Sequence, residues 1–187
     1  VRRASDEPSW TQHKFVWREA GANGLAILDA KTILLADTGN RAIQKLDLAT
    51  KQKTPVATLF EGKKFSSPND VTRMKSGVLF FTDPPYGFKK FDDAPEKEVA
   101  FNGVYRMATD GTVTVVDKEL HRPNGVALSP DESVLYVTQS EPTKAIILAY
   151  SLDANGNVTS KKLFNDLTDL VSKDAPGLPD GLTVAAD

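Results

Sequence analysis

The sequence lacks cysteine altogether, which excludes disulfide bonds, a thiolate nucleophile, and cysteine-ligated zinc or iron–sulfur clusters. It has only two histidines, His13 and His121, so one chain cannot supply a three-histidine zinc site. Long hydrophobic runs are missing as well. The longest apolar stretches, such as residues 145–150, fall far short of the ~20 residues that a membrane-spanning helix needs.

The sequence also has no excess of basic residues. Its 23 Lys and Arg stand against 25 Asp and Glu, a net charge of −2, whereas a surface that binds nucleic acid is strongly positive. A hydrophobic share of 40% is typical of globular chains and unlike that of disordered ones. We therefore expect a soluble protein that binds neither nucleic acid nor membrane. The composition leaves its compartment open between the cytoplasm and the periplasm.

A short motif recurs four times along the chain. Each copy places Asn or Asp before Gly or Asp, and a pair of strand-forming residues follows. These anchor residues are Asn23, Asn69, Asn124 and Asp180, and the last three each follow a proline.

Runs of β-branched and aromatic residues follow the anchors in the same order each time. Turn residues such as Asp110-Gly111 and Asn155-Gly156 separate the third run from the fourth. Four antiparallel strands per repeat, at a spacing of about 45–55 residues, indicate an all-β protein built from β-propeller blades. A β-sandwich is the alternative, although its strands do not usually repeat in such regular groups of four.

The repeats predict a single, partial propeller domain. We expect the end of a blade at residues 1–20, whole blades at 21–65, 66–120 and 121–176, and the start of a further blade at 177–187. Because closed propellers have four to eight blades, this arc of about three whole blades and parts of two leaves open sheet edges. A second copy of the chain or a companion chain would cover those edges.

The anchors are candidate metal ligands. Asn69, Asn124 and Asp180 occupy the same register, and the first strand of each blade lines the channel, so these side chains should converge on one mouth of it. Two amide oxygens and a carboxylate suit a hard cation such as calcium or magnesium. Asp180, as the one charged anchor, is also the candidate general base. The alternative is that each anchor simply forms a turn, and for Asn23 the two readings are equally favoured.

Three further residues are candidate substrate contacts. Asp83 lies in a rigid Thr-Asp-Pro-Pro-Tyr-Gly turn that could place Tyr86 over the channel mouth. The alternative for Asp83 is to cap backbone amides at the end of a hairpin. His121 comes just before the third anchor and could reach the same mouth, although a surface position is the simpler interpretation.

Four motifs together resemble the gluconolactonase branch of the senescence-marker-protein/gluconolactonase/luciferin-regenerating-enzyme family. They are residues 67–71 (SPNDV), 81–87 (FTDPPYG), 122–132 (RPNGVALSPDE) and 177–181 (GLPDG). The resemblance implies a six-bladed propeller that hydrolyses lactones or sugar-acid esters with one divalent metal ion, calcium above magnesium, manganese or zinc.

The resemblance also implies roles for individual residues. The family's Asn and Asp metal ligands match Asn124 and Asp180, and Asp180 takes the role of general base. Asn69 matches a residue that contacts metal or substrate. The family's glutamate ligand has no counterpart motif at Glu7 or Glu19.

The sequence is also compatible with a second function, that of a non-catalytic binding module. Residues 37–44 (DTGNRAIQ) also resemble the repeat of NHL-type propellers, which are interaction modules without catalysis. That reading predicts a peptide or sugar ligand and no need for a metal.

Overall fold

Three four-stranded antiparallel sheets form the body of the protein in a computed structural model that describes residues 21–171, 174 and 177–185. In chain order, blade 1 contains β1 (Ala22–Asp29), β2 (Thr32–Asp37), β3 (Ala42–Asp47) and β4 (Lys53–Ala57). A two-stranded hairpin follows, made of β5 (Leu59–Phe60) and β6 (Lys63–Lys64). Blade 2 contains β7 (Val71–Arg73), β8 (Leu79–Asp83), β9 (Gly103–Met107) and β10 (Val113–Asp117).

Blade 3 contains β11 (Pro123–Leu128), β12 (Val134–Gln139), β13 (Ile146–Leu152) and β14 (Val158–Asp166). Two short 3-10 turns, Phe91–Asp93 and Thr168–Leu170, lie in the connections. Within each blade, every strand pairs with the next one along the chain, and β7 contacts both β1 and β11. The predicted arc of propeller blades is therefore confirmed.

Two predicted features lie outside this picture. The blade end expected at residues 1–20 falls outside the described residues. Residues 177–185, within the expected start of a further blade, carry no strand. Among the described residues, no helix has the length and apolar character to cross a bilayer.

The hydrophobic core consists of two layers, one on each side of blade 2. Successive residues of a strand point to opposite faces of the sheet, so the neighbours Phe80 and Phe81, both fully buried, enter different layers. Phe81 packs between blades 1 and 2, with Leu34, Ile43, Phe65 and Tyr105. Phe80 packs between blades 2 and 3, with Val104, Leu135, Val137 and Tyr150. Burying each such side chain contributes about 1.5–3 kcal/mol.

Side-chain hydroxyls join each blade to the segment that follows it. Thr82 donates to the carbonyl of Asn124 at 2.5 Å, and Thr138 donates to the carbonyl of Asp180 at 2.8 Å. Two other hydroxyls donate to the prolines that precede the anchors. Thr38, just after β2, donates to the carbonyl of Pro68, and Ser140, two residues after Thr138, donates to the carbonyl of Pro179. Since these acceptors are the anchors and the prolines before them, the hydroxyls fix where each anchor lies.

Asp117 forms a buried polar cluster at the outer edge of the second core layer. Its carboxylate accepts a hydrogen bond from the Tyr150 hydroxyl at 2.5 Å and lies 2.6 Å from the Lys161 ammonium. Burial by itself raises the pKa of Asp117, but the hydrogen bonds from Lys161 and Tyr150 outweigh it and bring the pKa below its usual range.

Replacing Thr138 with valine should destabilise the fold. The Thr138 hydroxyl accepts from the backbone N–H of Gly125 at 2.7 Å and donates to Asp180, and valine provides neither bond. Leaving the buried N–H of Gly125 unpaired costs about 1–3 kcal/mol, which should appear in the free energy of unfolding by urea. The exposed Thr114→Val is the matched control and should change little. Equal stability of Thr138→Val and the wild type would contradict the assigned role.

Asp117 should contribute to stability against acid. A carboxyl whose pKa is lower in the folded state stabilises the fold above its unfolded pKa of about 3.9, and this contribution is lost as the pH falls through the folded pKa. The stability difference between wild type and Asp117→Asn should therefore be largest near neutral pH and shrink below about pH 4. Urea unfolding across that range measures it, and a pH-independent difference would contradict the assignment.

Candidate functional site

The predicted anchors line one pocket at the inner end of the blades. The pocket has a volume of about 390 Å³. Its lining residues are Asn23, Gly24, Asn69, Asp70, Asn124, Asp180, Gly181, Leu182 and Thr183. The structure thus brings together Asn69, Asn124 and Asp180, although their roles as ligands or base remain predictions.

Asn124 is held both by its backbone and by its side chain. Its backbone carbonyl accepts from Thr82, and its side-chain nitrogen donates to the Ser140 hydroxyl at 2.9 Å. Only 7% of the residue is exposed. Because the amide nitrogen is engaged, the side-chain oxygen is the atom that Asn124 offers to the pocket.

Asn69 is fixed through its backbone. Its N–H donates to the Thr82 carbonyl at 2.9 Å, and its carbonyl accepts from the N–H of Gly24 at 2.7 Å. Thr82 therefore contacts both Asn69 and Asn124, and it sets the spacing between these two anchors.

Asp180 is the most exposed of the three predicted ligands. Its backbone carbonyl is held by Thr138, and one carboxylate oxygen, Oδ1, accepts from the N–H of Gly181 at 2.9 Å. The side chain is thereby kept at the wall of the pocket with a carboxylate oxygen available to a ligand or a proton.

Asp70 is a second carboxylate in this pocket, and sequence reasoning missed it. The pKa of Asp70 is raised, mainly by burial and further by the nearby charge of Asp180. Hydrogen bonds from the N–H groups of Val126 and Val71 oppose this rise without cancelling it. A comparison of the four anchors could have revealed it, because the residue after the anchor is glycine in the other three repeats.

Asp83 lies elsewhere. It is fully buried and is not among the residues that line the pocket. Its two carboxylate oxygens accept from the N–H groups of Ser66 at 2.8 Å and Ser67 at 2.7 Å. Burial raises the pKa of Asp83 to about 7 in spite of these bonds. This arrangement favours the alternative in which Asp83 caps backbone amides.

Tyr86 extends toward the third anchor. Its hydroxyl is enclosed and lies near Asn124 and Ser140, yet it forms no hydrogen bond of good geometry with the described residues. Burial raises the pKa of Tyr86, so the phenol stays protonated near neutral pH. This unpaired hydroxyl lies beside Asn124, but Tyr86 is not among the residues that line the pocket.

His121 is exposed, and its backbone forms three hydrogen bonds with described residues. Its N–H donates to the Gln139 side chain at 2.8 Å, and its carbonyl accepts from Asn102 and Arg122, each at 2.7 Å. The residue is not part of the pocket lining. The backbone contacts make His121 part of the connection between the loop and β12.

The donor set of the pocket fits a hard divalent cation. Among residues 21–171, 174 and 177–185 no three His, Cys, Asp or Glu side chains come together, which argues against a zinc site of the usual composition. Amide and carboxylate oxygens from Asn69, Asn124 and Asp180 are instead the ligands that calcium and magnesium take.

Two relatives of the chain are named as lactonases. The chain is 43% identical to a gluconolactonase of Zymomonas mobilis over 90% of its own length and 48% of the relative's. It is 34% identical to the pentonolactonase XacC of Haloferax volcanii over 62% of its length and 34% of the relative's. The chain therefore spans about half the length of the first of these relatives and less of the second.

Solved structures agree with the sequence relatives. A gluconolactonase from Xanthomonas campestris superposes with a TM-score of 0.68 at 33% identity, over 86% of this chain and 51% of that one. The calcium-binding protein regucalcin of Agrobacterium tumefaciens shares the fold, with a TM-score of 0.60 at 22% identity over 80% of this chain and 47% of that one.

The sequence also matches the family model described as the SMP-30/Gluconolactonase/LRE-like region, over residues 6–187. This match covers nearly the whole chain and includes all four anchors. The predicted resemblance is confirmed: the chain belongs to the SMP-30/gluconolactonase/LRE-like family.

Proposed function

We propose that the protein containing this chain hydrolyses a lactone of the sugar-acid type, with Asp180 as the general base. The observation that carries the proposal is the convergence of Asn69, Asn124 and Asp180 in one pocket. The lactonase activities named for its relatives support the reaction class.

Asn69, Asn124 and Asp180 would hold one divalent cation. Their all-oxygen donor set suits calcium, magnesium or manganese, and the family resemblance favours calcium among them. When bound, such a cation supplies Lewis-acid polarisation of a carbonyl. Asp180 carries two carboxylate oxygens, so it can contact a cation and still accept a proton.

The proton transfers assigned to Asp180 account for the whole reaction. As water adds to the lactone carbonyl, the Asp180 carboxylate takes up one of its protons. The ring C–O bond then breaks, and protonated Asp180 returns that proton to the departing ring oxygen. The product is the open hydroxy acid, and the carboxylate is restored.

The surroundings of the pocket suit a hydroxylated substrate. Tyr86 would donate its unpaired hydroxyl to the substrate, since this donor has no partner of good geometry among the described residues. Asn23 and Thr183 add polar groups to the wall. Asp83 and His121 are not part of this proposal. The Asp83 carboxylate is occupied by the N–H groups of Ser66 and Ser67, and His121 is exposed outside the pocket lining.

Replacing Asp180 with asparagine should reduce kcat for lactone hydrolysis by about 10²–10⁴-fold, the usual contribution of a general base. Its backbone carbonyl would still accept from Thr138, so the fold should be kept. Titration of the acid released from gluconolactone, corrected for spontaneous hydrolysis, measures the rate. The exposed Asp169→Asn serves as the control. Wild-type activity in a folded Asp180→Asn would refute the base assignment.

Calorimetric titration should show that Asn69 contributes to cation binding. The backbone contacts of Asn69 survive replacement by alanine, whereas its amide oxygen is lost. We expect Asn69→Ala to bind calcium about tenfold or more weakly, while Asn165→Ala on the exposed strand β14 matches the wild type. Running the same titration with magnesium, manganese and zinc ranks the metals. Unchanged calcium binding by Asn69→Ala would remove it from the ligand set.

A further inference from the structure

One carboxylate ties together the two segments that carry the asparagine anchors. Asp70 Oδ2 accepts a hydrogen bond from the N–H of Val126 in blade 3 at 2.9 Å. Its Oδ1 accepts from the N–H of Val71 at 2.8 Å. Val126 lies two residues after Asn124, and Val71 lies two residues after Asn69, so Asp70 links the backbones of both anchors.

The other repeats do not use a side chain at this position. The residue after the anchor is Gly24, Gly125 or Gly181 there, and close packing explains the first two. A Cβ on Gly24 would lie 2.1 Å from Asp70 Oδ1, and one on Gly125 would lie 2.5 Å from the Asp180 carbonyl oxygen. The Asp70 side chain thus occupies the space that Gly24 leaves open.

A carboxylate is a costly group to enclose at this position. Its partial burial requires compensation, which the two N–H groups supply through charge-assisted hydrogen bonds. The joint between blades 2 and 3 already has the bond from Thr82 to Asn124. The bond from Val126 to Asp70 is thus a second connection between the same two segments, and it involves a charged group.

We propose that Asp70 is a positioning residue that fixes Asn124 relative to Asn69. The proposal rests on the hydrolytic function proposed above. In it, Asp70 acts on the substrate only through the two anchors, by setting where their side-chain oxygens lie. Displacing a positioned group by about 1 Å can reduce a rate about 10²-fold.

The test compares Asp70→Asn and Asp70→Gly in the purified protein. Asparagine has one side-chain oxygen, so it can accept only one of the two N–H groups, while glycine accepts neither but is the residue found in the other repeats. Asp131→Asn is the matched control, because Asp131 also accepts a backbone N–H, from Ser133, but lies in the exposed turn between β11 and β12.

We expect kcat to fall in the order wild type, Asp70→Asn, Asp70→Gly, by about 10²-fold at the end of the series, with KM for gluconolactone little changed. Independently of activity, amide hydrogen exchange at Val126 should speed up and calcium should bind more weakly by calorimetry. Asp131→Asn should match the wild type in all three measurements.

Two results for an active wild type would overturn the proposal. If kcat and calcium affinity stay unchanged while the unfolding midpoint alone falls, Asp70 is a structural bridge and nothing more. If KM rises while kcat is constant, Asp70 contacts the substrate directly. An inactive wild type would instead refute the proposed hydrolysis, and this inference with it.

Discussion

The hydrogen bond from a strand-end hydroxyl to the next anchor's carbonyl is the interaction on which the architecture of the site depends. Thr82 and Thr138 form it at successive joints, each to the backbone of the anchor itself. The hydrophobic effect that packs the core between the blades is non-directional, whereas these hydrogen bonds are short and directional. Because these bonds use the anchor's backbone, a side-chain oxygen of Asn124 and of Asp180 remains available to a ligand.

The three joints, which connect blade 1 to blade 2, blade 2 to blade 3, and blade 3 to the segment that carries Asp180, are similar but not equivalent. At the first joint, Ala36 stands where the later blades have threonine, and the bond runs from Thr38 to Pro68 instead. At the third joint both connections are present, from Thr138 and Ser140. The Ser140 hydroxyl also accepts a hydrogen bond from the side-chain nitrogen of Asn124. One hydroxyl therefore links the amide of Asn124 to the segment that carries Asp180.

The repeat pattern predicted most of the fold, because strand-forming runs and turn residues are local signals. It also predicted which anchors share a pocket, because register along a repeat is a property of spacing. Asp83 and Asp70 could not be told apart by such reasoning, since both are aspartates beside a turn. Their difference depends on burial and on partners distant in the chain: Ser66 and Ser67 enclose Asp83, whereas Asp70 reaches Val126 in another blade.

The close approach of Gly24 to Asp70 limits how such a propeller could arise or be built by copying one blade. In a tandem array of blade 2, aspartate would stand at the positions of both Gly24 and Asp70 at every contact between neighbouring blades. The Cβ of one aspartate would then lie 2.1 Å from a carboxylate oxygen of the next, which is closer than these atoms can approach. A carboxylate at one joint therefore requires a glycine in the preceding repeat. Divergence between neighbouring repeats is in this sense a steric condition for placing a charge near the axis.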